Sequence, residues 1–257
     1  MDCRNPCCPP ASYGSLRYVD NIESNFLFRG PEPASPDPKD PTKKCFDYCG
    51  LADAIRGAAL PPSVLLPQGF REDPPQYYLL VINLLHADET DKIAAEIDFF
   101  QKNPALGCVH LWDTMGTPQC YFSTAPVERA RMVRTLDEWL PDPLIWRAAT
   151  LRKWLEPAPS PVPTVIYVHC DGGCDRTGEL IGAYRLRYMQ NAWATVSADQ
   201  PCGNPLGCDN YRALQWYAYW LNEVKGFSLS GMGEDCGCLD PGGPHMPCSP
   251  SATIPGA

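Results

Sequence analysis

The sequence predicts an α/β fold, a single domain with a central, largely parallel sheet flanked by helices. Three observations predict it. Apolar runs of strand length recur along the chain. Between them lie longer segments whose apolar residues repeat at helical spacing, and strands interleaved with helices favour a parallel sheet covered by helices. The last apolar run ends in a glycine-bearing turn that opens into a helix, the kind of junction beyond a strand's carboxyl end where open α/β sheets bind ligands.

Taken in order, Tyr77–Leu84 (YYLLVINL) is the first clear strand run. Residues 89–102 follow with Ile93, Ile97 and Phe100 on one helical face, and Gly107–Trp112 (GCVHLW) forms a second strand. Two helices come next. Residues 126–140 carry Met132, Leu136 and Trp139, and residues 143–156 carry Leu144, Ala148, Leu151 and Leu155. A strand over 164–169 then enters a helix over 177–191 that buries Leu180, Ile181, Tyr184 and Tyr188. A final helix, 209–224, presents Tyr211, Leu214, Tyr217, Leu221 and Val224 on one face. These apolar stripes are core. His86 and His110, in or beside strands, read as structural. The segment PEPASPDPKDP at 31–41 reads as an extended surface loop, because proline removes donors and turns its predecessor away from helix.

The junction after the third strand is HCDGGCDRTG, residues 169–178. Loop amides and the positive end of the following helix dipole converge there on one point and stabilise an anion. Cys170 sits at that point, where the field favours thiolate over thiol. Arg176 adds a planar, permanently charged fork matched to two oxygens of a phosphoryl group. Gly172 and Gly173 let the backbone aim its amides inward with no Cβ in the way. Asp171, Gly172, Gly173, Cys174, Asp175 and Arg176 are thus the expected phosphate-binding residues.

This His-Cys-x5-Arg-Thr-Gly loop resembles the signature of the cysteine-dependent phosphatases, which include protein tyrosine, dual-specificity and several phosphoinositide phosphatases. The resemblance implies that Cys170 attacks phosphorus, Arg176 binds the phosphoryl group, Thr177 assists turnover of the phosphocysteine and His169 orients the loop. It also implies a reaction without metal or organic cofactor. Upstream, Asn25–Gly30 (NFLFRG) looks like the opening strand of dual-specificity-type members, where an arginine follows aromatic residues. The family draws its general acid from an aspartate on a loop before the cysteine, and by order of elements that residue is Asp113. Two predicted helices lie between the second strand and the reactive loop, where compact members have room for one. Asp175 and Asp142 therefore remain alternatives. An aspartate before the loop arginine, as at Asp175, also occurs in myotubularin-like inositide phosphatases. Asp142-Pro143 doubles as an N-cap with proline at the first helical position.

The expected substrate is a phosphorylated protein, phosphotyrosine foremost, with a phosphoinositide or inositol phosphate as the enzymatic alternative and a catalytically weak phosphate-binding module as the non-enzymatic one. Asp171 and Asp175 against Arg176, with no lysine in the loop, argue by charge for a monophosphate. Cys174, inside the loop, reads as a small residue facing away or as a thiol able to trap an oxidised Cys170.

The chain has 257 residues and a formal net charge of −9, which disfavours nucleic acid and anionic membranes as partners. No apolar run is long enough to span a bilayer, and the N-terminus MDCRNPCCPP lacks the apolar core of a signal peptide. Fourteen cysteines fall below the density of a disulfide scaffold, so the expected compartment is the cytosol or nucleus. Cys45 with Cys49, and Cys202 with Cys208, are close enough in sequence for local disulfides. In the tail, Cys236, Cys238, His245 and Cys248 do not match a common zinc spacing, so no metal is expected. The expected organisation is a Cys/Pro-rich segment over 1–15, the phosphatase-like domain over 16–225, and a Gly/Pro/Ser-rich, disordered tail over 226–257.

Overall fold

A computed structural model describes residues 11–139, 142–157, 162–199 and 201–232. These form two compact units, one drawn from the described residues up to 114 and from 150–177, the other from 115–149 and the described residues after 177.

The first unit is built on a five-stranded sheet. Its strands are β1 (Arg17–Ile22), β2 (Asn25–Gly30), β5 (Tyr78–Asn83), β6 (Gly107–Leu111) and β7 (Thr164–His169), in the order β1-β2-β7-β5-β6. β2, β7, β5 and β6 run parallel, and only β1 is antiparallel, at the edge. The expected mixed α/β architecture with a mostly parallel central sheet is what the molecule has. Leu79 to Ile82 and Val165 to Val168 are all buried, as both faces of an inner parallel strand must be. One face packs Phe26, Phe28, Val81 and Tyr167 against Leu51 and Ile55 of α1 (Tyr48–Arg56) and Phe100 of α2 (Thr90–Lys102). On the other, His110 and Trp112 meet Trp154 of α4 (Leu144–Leu155). Alternation along β6 produces this split, with Val109 turned to the first face.

Register fixes where the chain leaves the sheet. His169 pairs with Gly30 and with Asn83, and Asn83 pairs with Leu111. The segments after β2, β5, β6 and β7 therefore all depart from the same carboxyl edge.

The Pro-rich segment 31–41 is not wholly loop. β3 (Ala34–Pro36) pairs antiparallel with β4 (Lys44–Phe46). Proline is tolerated because the ribbon is short and Pro36 ends its strand. α1 is also absent from the sequence reading. Its start is nonetheless written in Asp47, whose carboxylate accepts the Gly50 amide as an N-cap.

In the second unit, α7 (Cys208–Glu223) buries Leu214, Tyr217 and Leu221. A Cβ at Gly182 of α5 (Asp175–Tyr188) would stand 2.7 Å from the Leu214 side chain, so glycine permits that close approach. Tyr121 stacks on Tyr219, and Trp193 of α6 (Trp193–Ser197) meets Tyr211 edge-on. The helix expected over 126–140 is shorter. α3 (Pro126–Arg134) gives way to a 3-10 turn at Leu136–Glu138, and the Thr135 hydroxyl bonds back to the Arg131 carbonyl at the break. α5 ends at Tyr188, three residues early, because Gln190 adopts a positive φ of 53°.

Candidate active site

The loop from His169 to Thr177 lies at the carboxyl edge of β7 and is held from outside by its carbonyls. The Glu32 amide donates to Asp171 O (2.8 Å), Ser15 Oγ to Gly172 O (2.9 Å), and Arg29 Nη2 to Gly173 O (2.8 Å) and Cys174 O (3.3 Å). With the carbonyls spent on neighbours, the amides of the same peptides point the opposite way, towards the loop's interior. Gly173 has φ +74°, and a Cβ there would lie 2.3 Å from the Gly30 carbonyl, so no other residue fits. Arg29, 1% exposed, is therefore a loop-holding residue. The aromatic-then-arginine pattern of β2 is its only trace in the sequence.

Cys170 is a free thiol, 3% exposed. Thr177 is fully buried, and its hydroxyl has no hydrogen-bond partner among the described residues. Arg176 donates through Nη1 to Glu89 Oε2 (2.5 Å) and to Leu84 O (3.3 Å). Burial would raise the Glu89 carboxyl. The bonds from Arg176 and the His86 amide, with Lys92 nearby, instead hold it down at about 2. Sequence reasoning misses Glu89 because it sits at the mouth of a predicted helix, where acidic residues are ordinary.

Lys92 adds to the charge balance read from the loop alone. From α2 its ammonium reaches Asp171 (2.6 Å), Glu89 (3.4 Å) and Glu32 (3.8 Å). The loop contains no lysine, but the fold delivers one to its rim. Glu89 and Glu32 stand beside it, so carboxylates still outnumber cations there and the charge argument for a monophosphate stands.

Behind the loop, His169 Nε2 lies 3.0 Å from Glu96 Oε1, both fully buried. Asn83 Nδ2 donates to Glu96 Oε2 (2.9 Å). Burial alone would lower the His169 imidazole, but the Glu96 carboxylate overcomes it and the net direction is upward. The other ring nitrogen lies 3.2 Å from Cys170 O. His169 thus links the sheet interior to the peptide of Cys170. Glu96 gives no signal in the sequence, since it falls between apolar positions of an amphipathic helix.

The acid candidates part company. Asp113 follows β6 at the same sheet edge as the loop, is 47% exposed, and its Oδ1 lies 2.8 Å from His86 Nδ1. His86, read from the sequence as structural, is therefore this carboxylate's partner. Asp175 is exposed at the first turn of α5. Asp142 is occupied: Oδ1 takes Arg147 Nη1 at 2.5 Å, and Oδ2 accepts the Met115 and Gly116 amides at 3.1 and 3.4 Å. That is the coordination of a structural carboxylate.

The cysteines also depart from expectation. Among those described, Cys45, Cys49, Cys120, Cys174 and Cys202 are disulfide-bonded, while Cys108, Cys170 and Cys208 are free. A Cys202–Cys208 bridge is thereby excluded. Cys174 is neither an idle thiol nor bonded to Cys170. It lies within the loop and is held in a disulfide. The tail residues Cys236, Cys238, His245 and Cys248 lie outside the described residues, as do 1–10 and 233–257 of the expected terminal segments. Among the described residues no group of three or more His, Cys, Asp or Glu side chains could hold a metal ion, and no helix is long and apolar enough to cross a membrane.

No family model matches the chain, and no curated protein matches it. Among solved structures, the chain is similar to the human tyrosine phosphatase-like serine/threonine/tyrosine-interacting protein. The TM-score is 0.36 at 13% identity, over 82% of this chain and 96% of that one. A likeness at that score decides nothing about chemistry, which rests on the loop itself.

Proposed function

We propose that the protein is a phosphate monoester hydrolase acting through a phosphocysteine, of the protein tyrosine and dual-specificity phosphatase type. The observation that carries the proposal is the loop: a free, buried Cys170 at its base, carbonyls tied outward, and the Arg176 fork on its far side.

In the proposed reaction the Cys170 thiolate attacks phosphorus in line, a P–S bond forms and the ester P–O bond breaks. Loop amides and Arg176 take up the charge on the equatorial oxygens. Asp113 gives its proton to the departing oxygen, then accepts one from the water that attacks the phosphocysteine. The P–S bond breaks, phosphate leaves and the thiolate is restored. The Thr177 hydroxyl is suited to donate to that leaving sulfur. Glu89 must yield Arg176 to the substrate, an exchange of one oxyanion partner for another.

A second reading, an inositide or inositol phosphate phosphatase, is favoured by Asp175 before Arg176. Disulfide bonding at five described cysteines weighs against the cytosolic or nuclear placement and supports an oxidising compartment.

The test is hydrolysis of an aryl phosphate in the presence of a chelator, followed by a panel of phosphopeptides and inositides. Turnover that survives the chelator and disappears in Cys170→Ser supports the mechanism. Metal dependence, or full activity in Cys170→Ser, refutes it. Binding of phosphate without turnover leaves the phosphate-binding module.

A further inference from the structure

Two residues past Thr177, helix α5 carries a carboxylate that the proposed reaction does not use. Glu179 is fully buried. One oxygen accepts from Asn210 Nδ2 at 2.7 Å, and the other, Oε1, has no hydrogen-bond partner among the described residues. Leaving a carboxylate oxygen bare in the interior costs far more than exposing it, so buried acids normally find a full set of donors. Here the side chain lines a cavity of about 40 Å³. A water-sized occupant needs about 10–15 Å³, so the cavity has room for a group of a few heavy atoms.

The surroundings narrow what that is. Trp139, Trp216, Tyr217, Leu136 and Leu144 supply most of the wall, and Asp142 completes the acidic side. The two Trp ring centroids are 6.0 Å apart and inclined at 48°. The cation beside these two carboxylates is Arg147, whose Nη1 is committed to Asp142 at 2.5 Å. With both acids ionised, one guanidinium faces two carboxylates, a net negative charge that a bound cation would offset. An aromatic and aliphatic wall rewards a weakly hydrated cation over a strongly hydrated one. The donor set is too thin in carboxylate for a divalent metal, which takes six or more oxygens or a tetrahedral set of ligands.

We infer that this cavity is a binding site for a small ammonium cation, methylammonium-sized, whose N–H donates to Glu179 Oε1 while its methyl group faces the Trp139–Trp216 wall. Burial, then the neighbouring Asp142, push the Glu179 carboxyl well above its ordinary range. A cation bound beside the carboxyl opposes both causes and favours the carboxylate, so binding is linked to proton release. The site rests on residues apart from the catalytic loop and stands whether or not the protein is a phosphatase.

The experiment is calorimetric titration of the full chain with methylammonium chloride near pH 7, in two buffers of different ionisation enthalpy, with sodium chloride and tetramethylammonium chloride as matched controls. Saturable binding of methylammonium, absent with either control and accompanied by proton release, is expected. Glu179→Gln should weaken that binding by about ten- to a hundredfold, the loss of one charge-assisted hydrogen bond. Three results overturn the inference: no saturable binding by the unmodified protein, an equal response to sodium, or undiminished affinity in Glu179→Gln. Should that variant fail to fold, the first two results, both read on the unmodified protein, still decide it.

Discussion

Cys170 and Arg176 are legible because the chemistry of phosphate binding demands a particular spacing on a strand–loop–helix junction, and spacing is what a sequence displays. Cys170→Ser should abolish aryl phosphate hydrolysis, because an alkoxide is not accessible at neutral pH. Arg176→Lys should lose at least about a hundredfold in kcat/KM, since a point charge cannot reproduce a bidentate fork. Steady-state assays on folded variants check both. The proton donor is tested by leaving group. Asp113→Asn should slow hydrolysis of alkyl and phenyl phosphates by about 10²–10⁴-fold and matter little for an aryl phosphate whose leaving group departs as a stable anion. Asp175→Asn is the comparison. If it shows the leaving-group dependence and Asp113→Asn does not, the acid lies in the loop and the inositide reading gains. Partners that act across space are invisible in the sequence. Glu89, Lys92, Glu96 and His86 reach the site only because β5 and α2 deliver them to the edge where β7 ends.

At the scale of elements, the long periodic segments are legible, and the short ones escape for identifiable reasons. β5, β6 and β7 are apolar runs whose burial leaves no ambiguity, whereas β1 (RYVDNI) is a polar edge strand with little to mark it. β3 and β4 have three residues each, in a Pro-rich stretch that masks them. Besides the hydrogen bonds from Glu32, Ser15 and Arg29, a close backbone approach at one glycine joins the loop to β2. Gly173→Ala meets both a positive φ and a Cβ placed 2.3 Å from the Gly30 carbonyl. It should lower stability by more than about 1 kcal/mol and release the loop from β2. In Gly172→Ala the added methyl group would touch only the Cys174 sulfur, at 3.1 Å, so this should be the milder change. Thermal unfolding and phosphate affinity measured on both variants decide it. Equal effects would mean that the approach of Gly173 to Gly30 does not hold the loop.

For the molecule as a whole, buried acids and disulfides set the conditions under which it is stable. Glu89 is held at about 2 against an ordinary 4.5, so its contribution is present above pH 4.5 and is lost as the pH falls towards 2. His169 is raised above 6.5, so its contribution is complete below 6.5 and fades as the pH climbs through the folded value. Glu32 and Glu179, raised by burial, pull in that same direction from 4.5 upward. Melting temperature should therefore peak at mildly acidic pH, and Glu96→Gln should flatten the alkaline side of the curve. The response to reductant is the sharper test, because cysteine density alone points to reduced thiols while the fold pairs them. Cysteine-dependent catalysis ordinarily gains from a reductant that keeps its nucleophile free. Here Cys170 is free already, and the reductant's targets are the disulfides at Cys45, Cys49, Cys120, Cys174 and Cys202. Each bridge stabilises the fold by about 2–4 kcal/mol through its constraint on the unfolded chain, and the one at Cys174 starts within the loop that the proposed function makes catalytic. Added dithiol should lower the melting temperature by several degrees and reduce turnover, while alkylation shows Cys170 still unmodified by oxidation. Cys174→Ser should reproduce the loss of turnover without reductant. An unchanged melting temperature, with activity rising on reduction, would return the protein to the reducing compartment that its composition suggests.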